Sequence, residues 1–150
     1  MTSIGSEAFS GCSSLEYNKY DNGLYLGNET NKYVALIKPK TQGVKSITIN
    51  NKCKVIGNSA FMNCTSLTSV TIPDSVTSIG SEAFKYCSKL TSITIPDGVA
   101  SIGNDAFENC GSLKTINYKG SKEQWNSISK GSSWNYGTGS FTINYNYVEN

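Results

Sequence analysis

The feature that most constrains this chain is a motif that returns every 23 residues. The motif reads Ile-Gly-x-x-Ala-Phe-x-x-Cys-x-x-Leu, and its copies begin at Ile56, Ile79 and Ile102. A period of roughly 20 to 29 residues is typical of solenoids, in which each repeat is one supersecondary unit stacked on the next. One repeat cannot bury enough apolar surface to offset the entropy of ordering it, so the copies have to stack. The period therefore predicts a solenoid with a continuous core.

Each repeat divides into a strand, a turn and a second limb. Residues 67–73 alternate towards their end between apolar and polar side chains, as a half-buried strand does, and Pro73 ends the strand. Residues 81–85 are interpreted as a short helical turn with Ser81 as its N-cap. Because successive copies run in the same direction, we expect their strands to pair in parallel.

The N-terminal residues already match the motif. The match begins at Ile4, so residues 1–16 are interpreted as a partial repeat. We therefore expect the chain to be a fragment of a longer protein, or a short copy without an export signal. A terminal repeat without a cap exposes apolar surface, which makes this end a candidate for end-to-end self-association.

The period is interrupted between this first copy and the regular array. Residues 17–43 do not match the repeat, and they are interpreted as an inserted β-hairpin with strands at 23–26 and 32–37. The leucine-containing repeats occupy residues 44–118. Their first half-copy, from residue 44 to residue 53, keeps the apolar positions of the later strands.

The C-terminal residues 119–150 also leave the pattern and are interpreted as a cap of one helix and one strand. Ser121 and Gln124 fit a capping box, and Trp125 and Ile128 share one face of the short helix that follows. Alternation over residues 141–145 predicts a strand. Together these elements would cover the last repeat and pair with its edge.

Composition argues against several functional classes. The 13 basic residues are all lysines, they are scattered, and the net charge is only +2, whereas nucleic-acid binding usually needs a basic stripe. No apolar run of about 18 residues is present, so we expect no membrane insertion. The chain has no histidine, the side chain most often used for acid–base catalysis. We therefore expect that this protein is not an enzyme.

Cysteines recur with the repeat, and this recurrence limits what they can do. Cysteines in one repeat position stack in a line at about 4.8 Å spacing, which cannot surround a zinc ion tetrahedrally. We therefore expect no metal and no cofactor, and we interpret the column as buried thiols. Disulfides between adjacent turns remain an alternative. The column comprises Cys12, Cys64, Cys87 and Cys110, and Cys53 lies outside it.

Two columns of outward-facing polar residues are the first candidate binding surface. They would form a flat, hydroxyl-rich and nearly uncharged face that a partner could bind through many weak hydrogen bonds. The alternative is that Ser and Thr simply suit exposed strands. The columns comprise Ser46, Ser69, Ser92 and Thr115, and Thr48, Thr71, Thr94 and Asn117.

Aromatic residues outside the repeats are the second candidate. Tyr25 in the hairpin and Trp134 in a glycine-rich loop could stack on sugar rings or anchor a protein partner. These rings favour the irregular parts of the chain as the place where function lies.

The repeats resemble the BspA-like, or treponemal-type, leucine-rich repeat family. The family pattern continues from the motif into Ile-x-Ile-Pro, and residues 56–73 and 79–96 match it nearly position by position. The next copy matches until Tyr118 and Lys119 replace Ile-Pro. The resemblance covers nearly the whole chain and extends to the hairpin and the tail. It implies an α/β leucine-rich repeat solenoid with parallel strands and short helices, and it carries no catalytic residues.

The resemblance also implies a function and a location. Members of this family are typically secreted or surface proteins of bacteria that take part in adhesion. We therefore expect a non-enzymatic protein-binding module, extracellular or on the cell surface, with a protein or glycan on a host or microbial surface as its partner. Two alternatives stay open, namely a carbohydrate-binding module that uses Tyr25 and Trp134, and a structural spacer.

Overall fold

A computed structural model describes residues 15–149, which form eleven short strands and one helix. The elements, in chain order, are β1 (Asn18–Tyr20), β2 (Gly23–Leu26), β3 (Ala35–Pro39), β4 (Val55–Ile56), β5 (Ser69–Thr71), β6 (Ser78–Ile79), β7 (Ser92–Ile95), β8 (Ser101–Ile102), β9 (Thr115–Tyr118), α1 (Lys122–Ser127), β10 (Ser129–Lys130) and β11 (Thr142–Asn144).

The strands build two sheets that the chain visits alternately. The first sheet has the order β1-β2-β3-β4-β6-β8-β10, and the second has the order β11-β9-β7-β5. Within the regular repeats all pairs are parallel, and Ser69 lies opposite Ser92, which lies opposite Thr115. The prediction of a solenoid with parallel strands is confirmed.

The second limb of each repeat is not the short helix that the sequence predicts. Glu82 and Tyr86 have positive φ angles of 57° and 61°, which an α-helix does not allow. The backbone N–H groups of this limb bond to the next turn of the solenoid, as from Phe84 to the Ala106 carbonyl at 2.8 Å. The limb is therefore a third ladder between turns, and α1 is the only helix in residues 15–149.

Phenylalanine rings stack through the core beneath this third ladder. The rings of Phe61, Phe84 and Phe107 lie 5.0 and 5.2 Å apart and nearly parallel. The ring of Trp134 ends the stack, 6.2 Å from Phe107 and edge-on to it. Identical residues at one repeat position thus form one continuous core.

The cysteine column is buried, as predicted for its described members. Its members Cys64, Cys87 and Cys110 are free thiols, and so is Cys53, which is buried outside the column. Burial raises the pKa of Cys53 and of Cys64 to about 11. The Cys87 thiol donates to the Phe61 carbonyl at 3.1 Å, one turn away. Residues 1–14, which hold most of the predicted partial repeat, Cys12 and the end proposed for self-association, lie outside the described residues.

The segment before the regular repeats contributes to the first sheet. Strands β1, β2 and β3 pair antiparallel, and β3 then pairs in parallel with β4, with Leu36 opposite Ile56. The second strand of the predicted hairpin is β3, which runs from Ala35 to Pro39 and not over residues 32–37 as predicted. It takes the place in this sheet that one turn of the solenoid would fill.

Residues 45–50 keep the apolar positions of a strand without forming one. Ile47 and Ile49 are buried, but no strand is present over these residues. Two side chains of the hairpin hold the segment instead. The Thr48 N–H donates to a carboxylate oxygen of Asp21 at 2.8 Å, and the Asn50 N–H donates to the hydroxyl of Tyr25 at 3.1 Å.

The C-terminal tail continues the solenoid. Ser121 and Gln124 form the predicted capping box of α1, and Trp125 and Ile128 are buried. Strand β10 then pairs with β8, and β11 pairs with β9, both in parallel. The tail therefore adds one more strand to each sheet. Among residues 15–149, no helix has the length and apolar character needed to span a membrane.

Candidate binding surface

The outward side of the second sheet carries most of the predicted polar columns. In β5, Ser69 and Thr71 are exposed, and in β9, Thr115 and Asn117 are half-buried. Ser92 in β7 is also half-buried. Parallel pairing in register places each of these residues directly beside its equivalent in the next turn, so the columns exist as surface rows.

Thr94 is an exception, because only 6% of its surface is exposed. It lies in the middle of the sheet, between Thr71 on one side and Asn117 on the other. Because Thr94 is buried, the prediction that it is freely available to a partner is wrong.

The columns extend further than the sequence analysis predicts. In β11, Thr142 lies opposite Thr115 and Asn144 lies opposite Asn117. The side-chain amide of Asn144 donates to the side-chain oxygen of Asn117 at 2.9 Å. The signal was available, because residues 142–145 repeat the sequence Thr-Ile-Asn-Tyr of residues 115–118. We call the set of residues on β5, β7, β9 and β11 the strand face: Ser69, Thr71, Ser92, Thr94, Thr115, Asn117, Thr142 and Asn144.

The first predicted row departs from the rest. Ser46 and Thr48 are exposed, but their segment is separated from β5 by a groove of about 310 Å³. We call this groove the strand cleft. It is lined by Ser46, Ile47, Thr48, Ile49, Ser69, Thr71 and Pro73.

The strand face and the strand cleft contain no charged side chain. Ion pairs lie elsewhere, as between Lys119 and Asp74 at 2.8 Å, where the hydrogen bond to Asp74 raises the pKa of Lys119. On the turn limb, Lys85 lies 2.7 Å from Glu108 and 3.4 Å from Glu82, and the hydrogen bond to Glu108 raises the pKa of Lys85. A partner on the strand face would therefore meet hydroxyl and amide groups.

The aromatic candidates are not free rings. Tyr25 is fully buried, burial raises its pKa to about 12, and its hydroxyl is occupied by the Asn50 N–H. Trp134 is half-buried, and its ring lies edge-on to Phe107, Trp125 and Phe141 at centroid distances of 5.9 to 6.2 Å. Tyr25 is therefore closed to a ligand, so the prediction that its ring stacks on a sugar or anchors a partner is wrong. Trp134 packs against the core but keeps part of its surface exposed, and its role in binding stays a prediction.

The described exposed aromatic residues lie away from the strand face. Tyr20 is in the hairpin, and Tyr86 is on the turn limb; each exposes 39% of its surface. Tyr136 is more exposed and follows Trp134 in the tail. Within residues 15–149, no cluster of three or more His, Cys, Asp or Glu side chains is placed to hold a metal ion.

This arrangement can be compared with known proteins. The family described as the BspA type leucine rich repeat region matches residues 1–31 and 40–147, as six copies. The chain belongs to the BspA-type leucine-rich repeat family. The matched residues include most of the tail, which continues both sheets in the structure. No curated protein matches this BspA-type chain.

Solved structures of bacterial leucine-rich repeat proteins are similar to this BspA-type chain. The Treponema pallidum leucine rich repeat protein is 25% identical, with a TM-score of 0.58 over 73% of this chain and 62% of that one. A leucine-rich repeat protein from Bacteroides ovatus ATCC 8483 is 26% identical, with a TM-score of 0.53 over 86% of this chain and 35% of that one. A leucine rich cell surface protein from Faecalibacterium prausnitzii A2-165 is 29% identical, with a TM-score of 0.48 over 76% and 42%. The chain thus spans less than two thirds of each.

Proposed function

We propose that this chain is a protein-binding module of a bacterial surface or secreted protein, and that it binds its partner through the strand face. The observation that carries this proposal is the continuous polar surface over four strands, from Ser69 in β5 to Asn144 in β11. Repeat proteins present extended surfaces of this kind to their partners.

The chemistry of the strand face favours a protein over a charged ligand. Its side chains are hydroxyls and amides, which both donate and accept hydrogen bonds. Exposed neutral rows of this kind suit a peptide surface, whereas a nucleic acid would need lysines that the face lacks. The carbohydrate alternative is weakened, because Tyr25 is fully buried and Trp134 is half-buried with its ring packed against the core.

Adhesion and a location outside the cytoplasm are part of the same proposal. They follow from the resemblance to a family whose members are typically secreted or surface proteins.

The test uses the purified chain and surface-protein extracts from epithelial cells and from bacteria, with binding measured by pull-down and biolayer interferometry. In the face variant, Ser92→Lys and Thr115→Lys place two charges in the middle of the rows. The control variant carries the same added charge at two exposed positions off the face, Ser88→Lys and Asn126→Lys.

The proposal predicts that the wild type and the control variant capture the same protein, and that the face variant loses at least about tenfold in affinity, since one desolvated unpaired charge costs more than about 1.4 kcal/mol. Equal capture by both variants would place binding off the strand face. No capture from any extract would favour the structural spacer.

A further inference from the structure

The backbone pairing of the second sheet is interrupted at one rung, that is, between one turn of the solenoid and the next. The interruption lies between residues 45–49 and β5. In the next rung, Ile72 N–H donates to the Thr94 carbonyl at 3.0 Å, and β5 pairs with β7 in register. Neighbouring residues of a parallel strand direct their backbone groups to opposite sides. The backbone N–H and C=O groups of Val70 and Ile72 therefore point towards β7. Those of Ser69 and Thr71 point towards the strand cleft.

The bonds that would close this cleft are missing among the described residues. The 23-residue period would join the Thr71 N–H to the Ile47 carbonyl, and the Ile49 N–H to the Thr71 carbonyl. Neither bond is formed with any described residue. The two walls meet at one end, where the Thr68 N–H reaches the Lys45 carbonyl at 3.3 Å. Beyond the other end the two turns are joined again, because the Ser75 hydroxyl donates to the Cys53 carbonyl at 2.6 Å.

The hairpin holds the far wall of the cleft in place. Asp21 and the Tyr25 hydroxyl bind the N–H groups of Thr48 and Asn50, which face away from β5. Tyr25 is itself fixed, because it is fully buried and lies edge-on to Tyr33 at 5.6 Å. The open rung is therefore held by specific contacts, and the groove of about 310 Å³ persists between two backbone edges.

An extended polypeptide can supply hydrogen-bond partners for the unpaired backbone groups along the two edges of this groove. It presents N–H and C=O groups alternately at the spacing of a strand, and proteins commonly bind one another by adding a strand to a free sheet edge. The lining carries hydroxyls and no charge, so a neutral segment fits better than a charged one.

We propose that the partner protein inserts an uncharged, extended segment into the strand cleft, where its backbone pairs with β5 at Thr71. This inference rests on the proposed function, because it names the part of the polar surface that binds the backbone of the partner. It also gives the hairpin a role, which is to keep one rung of the sheet open.

The experiment selects binders for the wild-type chain from a phage-displayed library of random peptides and measures a selected peptide in solution. In the test variant, Thr71→Pro removes the N–H that faces the cleft. The matched control, Ile143→Pro, removes an N–H at the opposite edge of the same sheet, since Ile143 lies between two residues of β11 that face β9. Circular dichroism checks that both variants fold.

We expect Thr71→Pro to weaken peptide binding at least about tenfold, which corresponds to one lost hydrogen bond, and Ile143→Pro to leave it unchanged. In the wild type, which needs no variant, the peptide should slow hydrogen exchange at the amides of Thr71 and Ile49.

Three results would overturn the inference. One is peptide binding that survives Thr71→Pro without protection of the Thr71 amide. Another is peptide binding lost in Ile143→Pro alone. The third is a library without binders while surface extracts are still captured. In each case the face variant Ser92→Lys with Thr115→Lys shows separately whether the proposed function stands.

Discussion

Two tyrosines of this chain are buried alike, yet their hydroxyl groups have different surroundings. The Tyr25 hydroxyl accepts the Asn50 N–H at 3.1 Å. The Tyr118 hydroxyl is buried and has no hydrogen-bond partner among the described residues. Desolvation, with a smaller contribution from Asp97, raises the pKa of Tyr118. A buried polar group without a partner lowers stability, whereas a paired one does not.

Replacing each tyrosine by phenylalanine separates these two cases. Tyr118→Phe removes a hydroxyl that has lost its hydration, so we expect the free energy of unfolding to rise by about 1 kcal/mol. Tyr25→Phe leaves the Asn50 N–H unpaired, so we expect a loss of about 1 to 2 kcal/mol. Urea unfolding followed by circular dichroism measures both. A loss in Tyr118→Phe as large as that in Tyr25→Phe would contradict this reading.

At the scale of elements, the structure separates what local sequence determines from what stacking determines. The helix α1 could be predicted because its capping box, Ser121 with Gln124, lies within one turn of chain. The limb at residues 81–85 is also predicted as a helical turn, but its N–H groups find partners one turn of the solenoid away. Those partners are far along the chain, so local propensity could not reveal that the limb is a ladder.

The tail is a second case in which local sequence does not reveal how the chain stacks. Its sequence loses the Ala-Phe-x-x-Cys motif, which favours the interpretation of a cap distinct from the repeats. In the structure, Trp134 takes the end of the phenylalanine stack and Trp125 packs beside it at 5.9 Å. A larger ring thus replaces phenylalanine where no further turn follows among the described residues.

The role of Trp134 in the core can be tested by truncation. We expect Trp134→Ala to lower the free energy of unfolding by about 3 kcal/mol, because removing a large packed aromatic ring leaves a cavity. Tyr136→Ala, two residues away and mostly exposed, is the control and should cost less than about 0.5 kcal/mol. Thermal unfolding of both variants measures the difference. Similar stability of the two would mean that Trp134 does not seal the core.

At the scale of the whole molecule, the 23-residue period determines the core and most of the strand face. It could not reveal the strand cleft, because Ile47 and Ile49 keep the period of the buried positions while their backbone leaves the ladder. Asp21 and Tyr25 hold that backbone through two hydrogen bonds, and both belong to a segment outside the repeat. The irregular segment therefore changes the regular one beside it, and it does so at the candidate site.

Hydrogen exchange of the free protein, followed residue by residue with NMR, tests this central claim most directly. Thr71 and Thr94 occupy equivalent positions one turn apart. Only Thr94 is paired with a strand from the preceding turn of the solenoid. We predict that the Thr71 amide exchanges at least about a hundredfold faster than the Thr94 amide, because an amide without a hydrogen bond is open to exchange. Equal and slow exchange at both positions would show that the sheet is continuous and that the cleft does not exist.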